Sequence, residues 1–164
     1  MMIDAATLIE MLDRNFGVIQ AQVAGMTHEE SLIQPPFNAN CLNWVMGHIV
    51  QNRNKMLHLI SQPTVWSHEQ TARYEMGSAP VKDGHDALPF ERMVADLSVC
   101  HQRLIPALER LSLADLDAVG NVVIAELSHA SIGWMMNYLI WHETYHVGQT
   151  DILRQAAGKN DKII

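Results

Sequence analysis

Four long stretches of this chain repeat their apolar residues at steps of three and four, and none alternates apolar with polar. That pattern points to helices, because a helix face recurs about every 3.6 residues and a strand face every second one. The first stretch runs from about Asp4 to Ala24, with Leu8, Met11, Leu12, Phe16, Ile19 and Val23 on one face. The second runs from about Cys41 to Ile60, through Leu42, Val45, Met46, Ile49, Met56, Leu57 and Ile60. The third starts near Leu88 and reaches Leu111. Asp86 can cap it, Pro89 suits its first turn, and Pro106 predicts a kink or break inside it. The fourth runs from about Ser128 to Ala157, with Gly158 placed to close it in a left-handed conformation.

The all-α reading then becomes a four-helix bundle in one domain, 1–164, long enough to bury a core without staples. The connections are uneven. Residues 25–40 carry the Pro35-Pro36 pair, and residues 112–127 open with Ser112-Leu113-Ala114-Asp115, suited to one capped helical turn. Residues 62–87 hold Pro63, Gly77, Pro80 and Gly84. A connection of that length is unusual as a mere loop. It can run the length of a bundle, about 30 Å for a 20-residue helix, so helices two and three are expected to lie parallel.

The formal charge is −7, with no basic run, so the chain lacks the clustered Lys and Arg that nucleic acid requires. No stretch approaches the apolar length of a membrane span, and the N-terminus has no unbroken apolar segment like that of a signal peptide. A cytoplasmic setting is expected, with Cys41 and Cys100 as buried reduced thiols.

Nine histidines are the informative excess. His142 and His146 sit four apart in Trp141-His142-Glu143-Thr144-Tyr145-His146-Val147-Gly148-Gln149. On a helix they lie about 40° apart in azimuth and about 6 Å apart along the axis, so both imidazoles can reach one ion. The letters also spell H-E-x-x-H, the zinc-peptidase signature. Two observations oppose that reading. No His or Glu follows His146, and Gln149 and Ile152 stand where the extended peptidase motif needs Gly and His. A third ligand is therefore sought upstream. His28, His68 and His85 fall in expected loops, His129 is too far along the fourth helix, and His58 is near the end of the second. His48 lies mid-helix among apolar residues beside Gly47, whose helix cost suggests close packing or access there. His101, beside Cys100, is the runner-up.

The segments Leu42-Asn43-Trp44-Val45-Met46-Gly47-His48-Ile49 and His142-Glu143-Thr144-Tyr145-His146-Val147-Gly148-Gln149 resemble the DinB/YfiT-like superfamily, as does Arg73-Tyr74-Glu75-Met76-Gly77-Ser78 with Pro80. The likeness spans essentially the whole chain. It implies an up-down-down-up four-helix bundle and a divalent metal held by His48, His142 and His146. It leaves the chemistry open: some relatives are S-transferases using thiols such as bacillithiol or mycothiol, some are thiol-dependent isomerases, and many have no known activity.

Three neutral histidines leave an ion with open positions, the pattern of a catalytic site rather than a closed structural one. Nickel or zinc is expected first, with iron, cobalt and manganese also compatible; imidazole ligation alone does not choose among metals. Gln149 and Asn52, returning to the faces of His142 and His48, are candidate ligand-binding residues. Glu143 is a candidate general base, although it points about 100° around the helix from His142. Trp141 and Tyr145, like the other tryptophans and the methionines, read as core. The functional expectation is a metal-dependent transferase acting on a small thiol and an electrophile. The alternatives are a non-catalytic metal-binding protein and a metal-dependent hydrolase. A homodimer through apolar helix faces is expected, and metal release as pH falls through the ordinary histidine range, near 6.5 and below.

Overall fold

In the computed structural model, residues 3–82, 84–120 and 129–161 are described. They form α1 (Ala5–Val23), α2 (His28–Ser31), α3 (Leu42–Leu59), α4 (His68–Arg73), α5 (Phe90–Leu108), α6 (Leu113–Asp117) and α7 (Ile132–Ala156). No strand occurs among the described residues. None of their helices is long and apolar enough to cross a membrane.

Side-chain contacts fix the direction of each long helix. Asn15 of α1 donates to Thr144 of α7 at 3.0 Å, and a turn or two later Arg154 donates to the Gln22 carbonyl at 2.9 Å, so α1 and α7 run parallel. Gln20 reaches Ser98 while Asp13 reaches His101, so α1 and α5 are antiparallel. Asn43 donates to the Leu88 carbonyl just before α5, and Arg53 contacts His101 farther along, so α3 and α5 are parallel. His48 lies beside His146 and Arg53 beside Glu143, so α3 and α7 are antiparallel. The order is up-down-down-up, and the parallel α3–α5 pair requires the long crossover.

That crossover is not structureless. Its α4 and the α2 of the earlier connection each start with a reciprocal capping box, Ser67 with Gln70 and Thr27 with Glu30, which satisfies first-turn amides locally. His28 and His68, expected in loops, therefore sit on short helices. Asn54 pins one end of the crossover by accepting from the Val65 and Trp66 amides at 2.7 and 2.9 Å. Tyr74 pins the other, donating to Asn43 and accepting from the Leu88 amide.

Two expectations for α5 need correction. Asp86 does not cap α5; its carboxylate pairs with Arg73 at 2.8 Å, and Pro89 is the N-cap, without a side-chain bond. Pro106 does not break α5, which runs on to Leu108. It lies on the exposed side of the last turn, where water can take the carbonyl it leaves without a donor. The α6 turn forms as expected, with Ser112 and Asp115 as its capping box. Ser131 caps α7, and the expected start at Ser128 lies outside the described residues. Gly158 takes φ 85° just past α7, a conformation that favours glycine.

One hydrophobic cluster draws on all four long helices. α3 is its centre: every residue of this helix except Lys55 and His58 is buried. A helix enclosed on all sides must place its polar residues against specific partners. Those partners build the site.

Candidate metal centre

His48 on α3 faces His142 and His146 on α7. The Nε2 atom of His142 lies 2.9 Å from that of His48 and 3.1 Å from that of His146. These three histidines form a group that could hold a metal ion, with ligand nitrogens all within 4.8 Å of one another. Nitrogens on a zinc ion with ordinary bonds stand about 3.3 Å apart in a tetrahedron and about 2.9 Å apart at right angles. The two spacings to His142 fall in that range.

The outer nitrogens determine what points inward. His48 Nδ1 is 2.6 Å from the Tyr74 carbonyl, which can only accept, so Nδ1 carries the proton and Nε2 a lone pair. His146 Nδ1 donates to Gln149 Oε1 at 2.7 Å, so its Nε2 also presents a lone pair. His142 Nε2 stands between them and can offer one proton to one neighbour. The other contact then sets lone pair against lone pair. A cation resolves this, and protons are a poor substitute for it. Burial holds the pKa of both His48 and His146 down at about 4, and burial followed by the nearby Lys55 charge lowers that of His142. Three histidines are thus positioned, oriented and kept neutral to hold a metal ion.

Gly47 explains how His48 is anchored. A Cβ there would overlap the ring of Tyr74, which is fully buried against α3. The same Tyr74 supplies the carbonyl that orients His48, whose other side stacks on Trp44 at 4.9 Å between ring centroids. Gly47→Ala should gain helix propensity yet lose about 1–3 kcal/mol net by forcing the ring away. It should also weaken metal affinity by about 10–100-fold, because the anchoring carbonyl moves with the ring. Denaturant melts and chelator competition measure both effects, and an unchanged affinity would dissociate the ring from the anchor.

The other expected residues separate. Gln149 is at the centre, orienting His146 and donating to the Tyr145 hydroxyl. Asn52 is buried one turn beyond His48, and its Nδ2 has no hydrogen-bond partner. Glu143 is fully buried and faces α3 and α1: Arg53 donates to it through Nε at 2.5 Å and Nη2 at 2.8 Å, and Asn15 adds a bond at 3.2 Å. His101 belongs to this second group, not to the histidine cluster: it accepts from Arg53, contacts Asp13 at 3.1 Å and stacks on Phe16. Trp141 and Tyr145 are each 60% exposed rather than core. With Trp134 and Tyr138 they line the outer side of α7, where Tyr138 stacks between Trp134 and His142. Their four- and seven-residue spacing resembles a core stripe in the sequence, which is why their exposure was not legible there. Cys41 and Cys100 are buried free thiols, and burial raises the Cys100 pKa to about 12.

The depressed histidine pKa values give the metal-free protein a defined pH dependence. The unfolded chain takes up protons near 6.5, whereas folded His48 and His146 resist them down to about 4. Between those values the unfolded state binds more protons, so stability falls as pH falls. The expected loss from pH 7 to pH 5 is on the order of 2 kcal/mol for each of the two histidines. Urea melts of metal-free protein at the two pH values test this. For the same reason metal should be retained below pH 6.5, lower than free imidazole would allow.

A cavity of about 350 Å³ opens at the centre, lined by Phe37, Trp44, Tyr145, His146, Gln149 and Ile152 among others. It is large enough for a small-molecule ligand. No curated protein matches this chain. A conserved protein from Enterococcus faecalis of solved structure is similar in fold, with a TM-score of 0.70 at 15% identity, covering 94% of this chain and 98% of that one. The profile of the mycothiol-S-transferase family matches residues 7–158. With that match over nearly its full length and the three histidines in place, the chain belongs to the mycothiol-S-transferase family, within the DinB/YfiT-like superfamily.

Proposed function

We propose that this protein transfers a low-molecular-weight thiol, mycothiol or a close analogue, to a small electrophile at a site formed by His48, His142 and His146. The observation that carries the reading is the convergence of these imidazoles, with lone pairs directed inward, beside an open cavity. The donor set is all nitrogen, which suits nickel or zinc first and also admits iron, cobalt or manganese. A bound divalent ion would supply Lewis acidity that makes the thiolate available near neutral pH.

The chain's own residues then set the geometry. The Tyr74 carbonyl and Gln149 hold two imidazoles in the tautomer that presents Nε2. Phe37, Trp44, Tyr145 and Ile152 form an apolar wall for the electrophile. In the reaction the thiol sulfur forms the new bond to an electrophilic carbon, the leaving group departs with its electron pair, and the thiol proton passes to solvent. Glu143 acts here as a positioning residue rather than a base, because Arg53 and Asn15 occupy its carboxylate on the side facing α3 and α1.

Cobalt-loaded protein tests the reading. Adding mycothiol should produce the intense near-ultraviolet charge-transfer absorption of thiolate ligation, and the His48→Ala variant should not give it. An unchanged spectrum at millimolar thiol would move the assignment to a metal-dependent hydrolase or a non-catalytic metal-binding protein.

A further inference from the structure

A second cavity, of about 330 Å³, is lined by residues of α3 that follow His48, whereas the first is lined by residues that precede it. We propose that this cavity, walled by Gln51, Lys55, His58, Trp66, Thr71 and Glu75, holds the hydroxyl-rich arm of the thiol, while the cavity at Tyr145 and His146 takes the electrophile. The inference rests on the thiol-transferase reading and adds where each substrate sits.

Position comes first. Trp44 and Val45, before His48 on α3, line the electrophile cavity; Gln51, Lys55 and His58, after it, line the second one. Along the helix axis, Lys55 is about 10 Å beyond His48 and His58 about 15 Å beyond it. The crossover closes the same path: the Tyr74 carbonyl anchors His48, and Glu75 next to it is on the cavity wall. A ligand with its sulfur at the three histidines can therefore extend an arm of that length along α3.

The chemistry of the two cavities differs. No Lys, Arg, Asp or Glu lines the electrophile cavity. The second offers an ammonium, a carboxylate, two imidazoles, the hydroxyl of Thr64 and the hydroxyl oxygen of Thr71, whose proton goes to the Ser67 and His68 carbonyls. Lys55 and Glu75 balance in charge, and Lys55 makes no ion pair within 4 Å among the described residues. Gln51 is 1% exposed, and neither atom of its amide has a partner, a costly state for a buried donor and acceptor. A wall with mixed donors and acceptors and no net charge suits a neutral polyol, whose hydroxyls both give and take hydrogen bonds. It suits a polycarboxylate poorly, since one ammonium faces one carboxylate already present.

Calorimetric titration of zinc-loaded protein tests the assignment, with two probes: mycothiol, and N-acetylcysteine methylamide, which keeps the thiol and lacks the sugars. The intact protein should bind mycothiol at least about tenfold more tightly. Thr71→Val should weaken mycothiol by about 3–10-fold and leave the bare thiol unchanged, and Lys55→Met should weaken mycothiol by about 3–10-fold more than it weakens the bare thiol. Both positions are half-buried, and thermal melts confirm that the variants fold. Equal affinity for the two probes overturns the inference. So does a selective loss of mycothiol in Tyr145→Ala but not in Lys55→Met. Binding of neither probe by intact, metal-loaded protein would instead remove the thiol-transferase reading itself.

Discussion

Glu143→Ala is expected to destabilise the bundle by about 3–5 kcal/mol, because it strands the Arg53 guanidinium in the core without its carboxylate. Arg53 and Glu143 are both fully buried, and their paired bonds tie α3 to α7 one residue from a metal ligand. The remaining Arg53 donors go to the Leu12 carbonyl and His101, so no second carboxylate can take over. Replacing both partners, as Arg53→Met with Glu143→Leu, should recover much of the loss, since an apolar pair of similar volume avoids the desolvation cost. Urea denaturation of the metal-loaded proteins measures both. Glu143→Gln separates this role from that of a base: a positioning carboxylate predicts lost stability with turnover retained by the folded fraction. Full stability with turnover abolished would restore Glu143 as the base.

The second large effect concerns the ion. Removing an outer partner of a ligating histidine typically weakens metal binding about 10–100-fold, so removing a ligand should exceed that. His142→Ala and His146→Ala should each weaken binding by more than about a hundredfold, and the double variant should hold none. Gln149→Ala should fall in the lower range, because it only frees the orientation of His146. Metal analysis and chelator competition give the values. Unchanged stoichiometry in the double variant would reject the site. The metal-free double variant should be no less stable near neutral pH than the metal-free parent, since it removes the opposed lone pairs.

Much of this was legible in the sequence for identifiable reasons. Apolar periodicity marks helices through their buried faces, and a long connection between α3 and α5 permits a parallel pair. His142 and His146 are legible because their spacing is set within one helix. Partners across helices left weaker marks. Arg53 is a charge inside a helix buried on nearly every side, and Glu143 points off the metal-facing side; together these could have suggested each other. The Tyr74 carbonyl carries no side-chain signature at all. Its only trace is Gly47, a glycine whose helix cost the ring above it explains. Asp86 has the sequence position of a cap for α5, but its carboxylate pairs with Arg73 across the crossover, a partner that local sequence does not reveal.

His48 and His142 stand 94 residues apart in the chain, and α7 is the last helix among the described residues. A ribosome therefore releases α1, α3 and α5 before the second and third ligands exist. Until α7 inserts between α1 and α3, His48 is a lone imidazole with little hold on a metal, and Arg53 waits without its carboxylate. Docking of the final helix completes the ion pair and the three-nitrogen cluster in one event. A nascent chain that still lacks α7 presents only one of the three imidazoles, so the three-nitrogen cluster is complete only after α7 has docked.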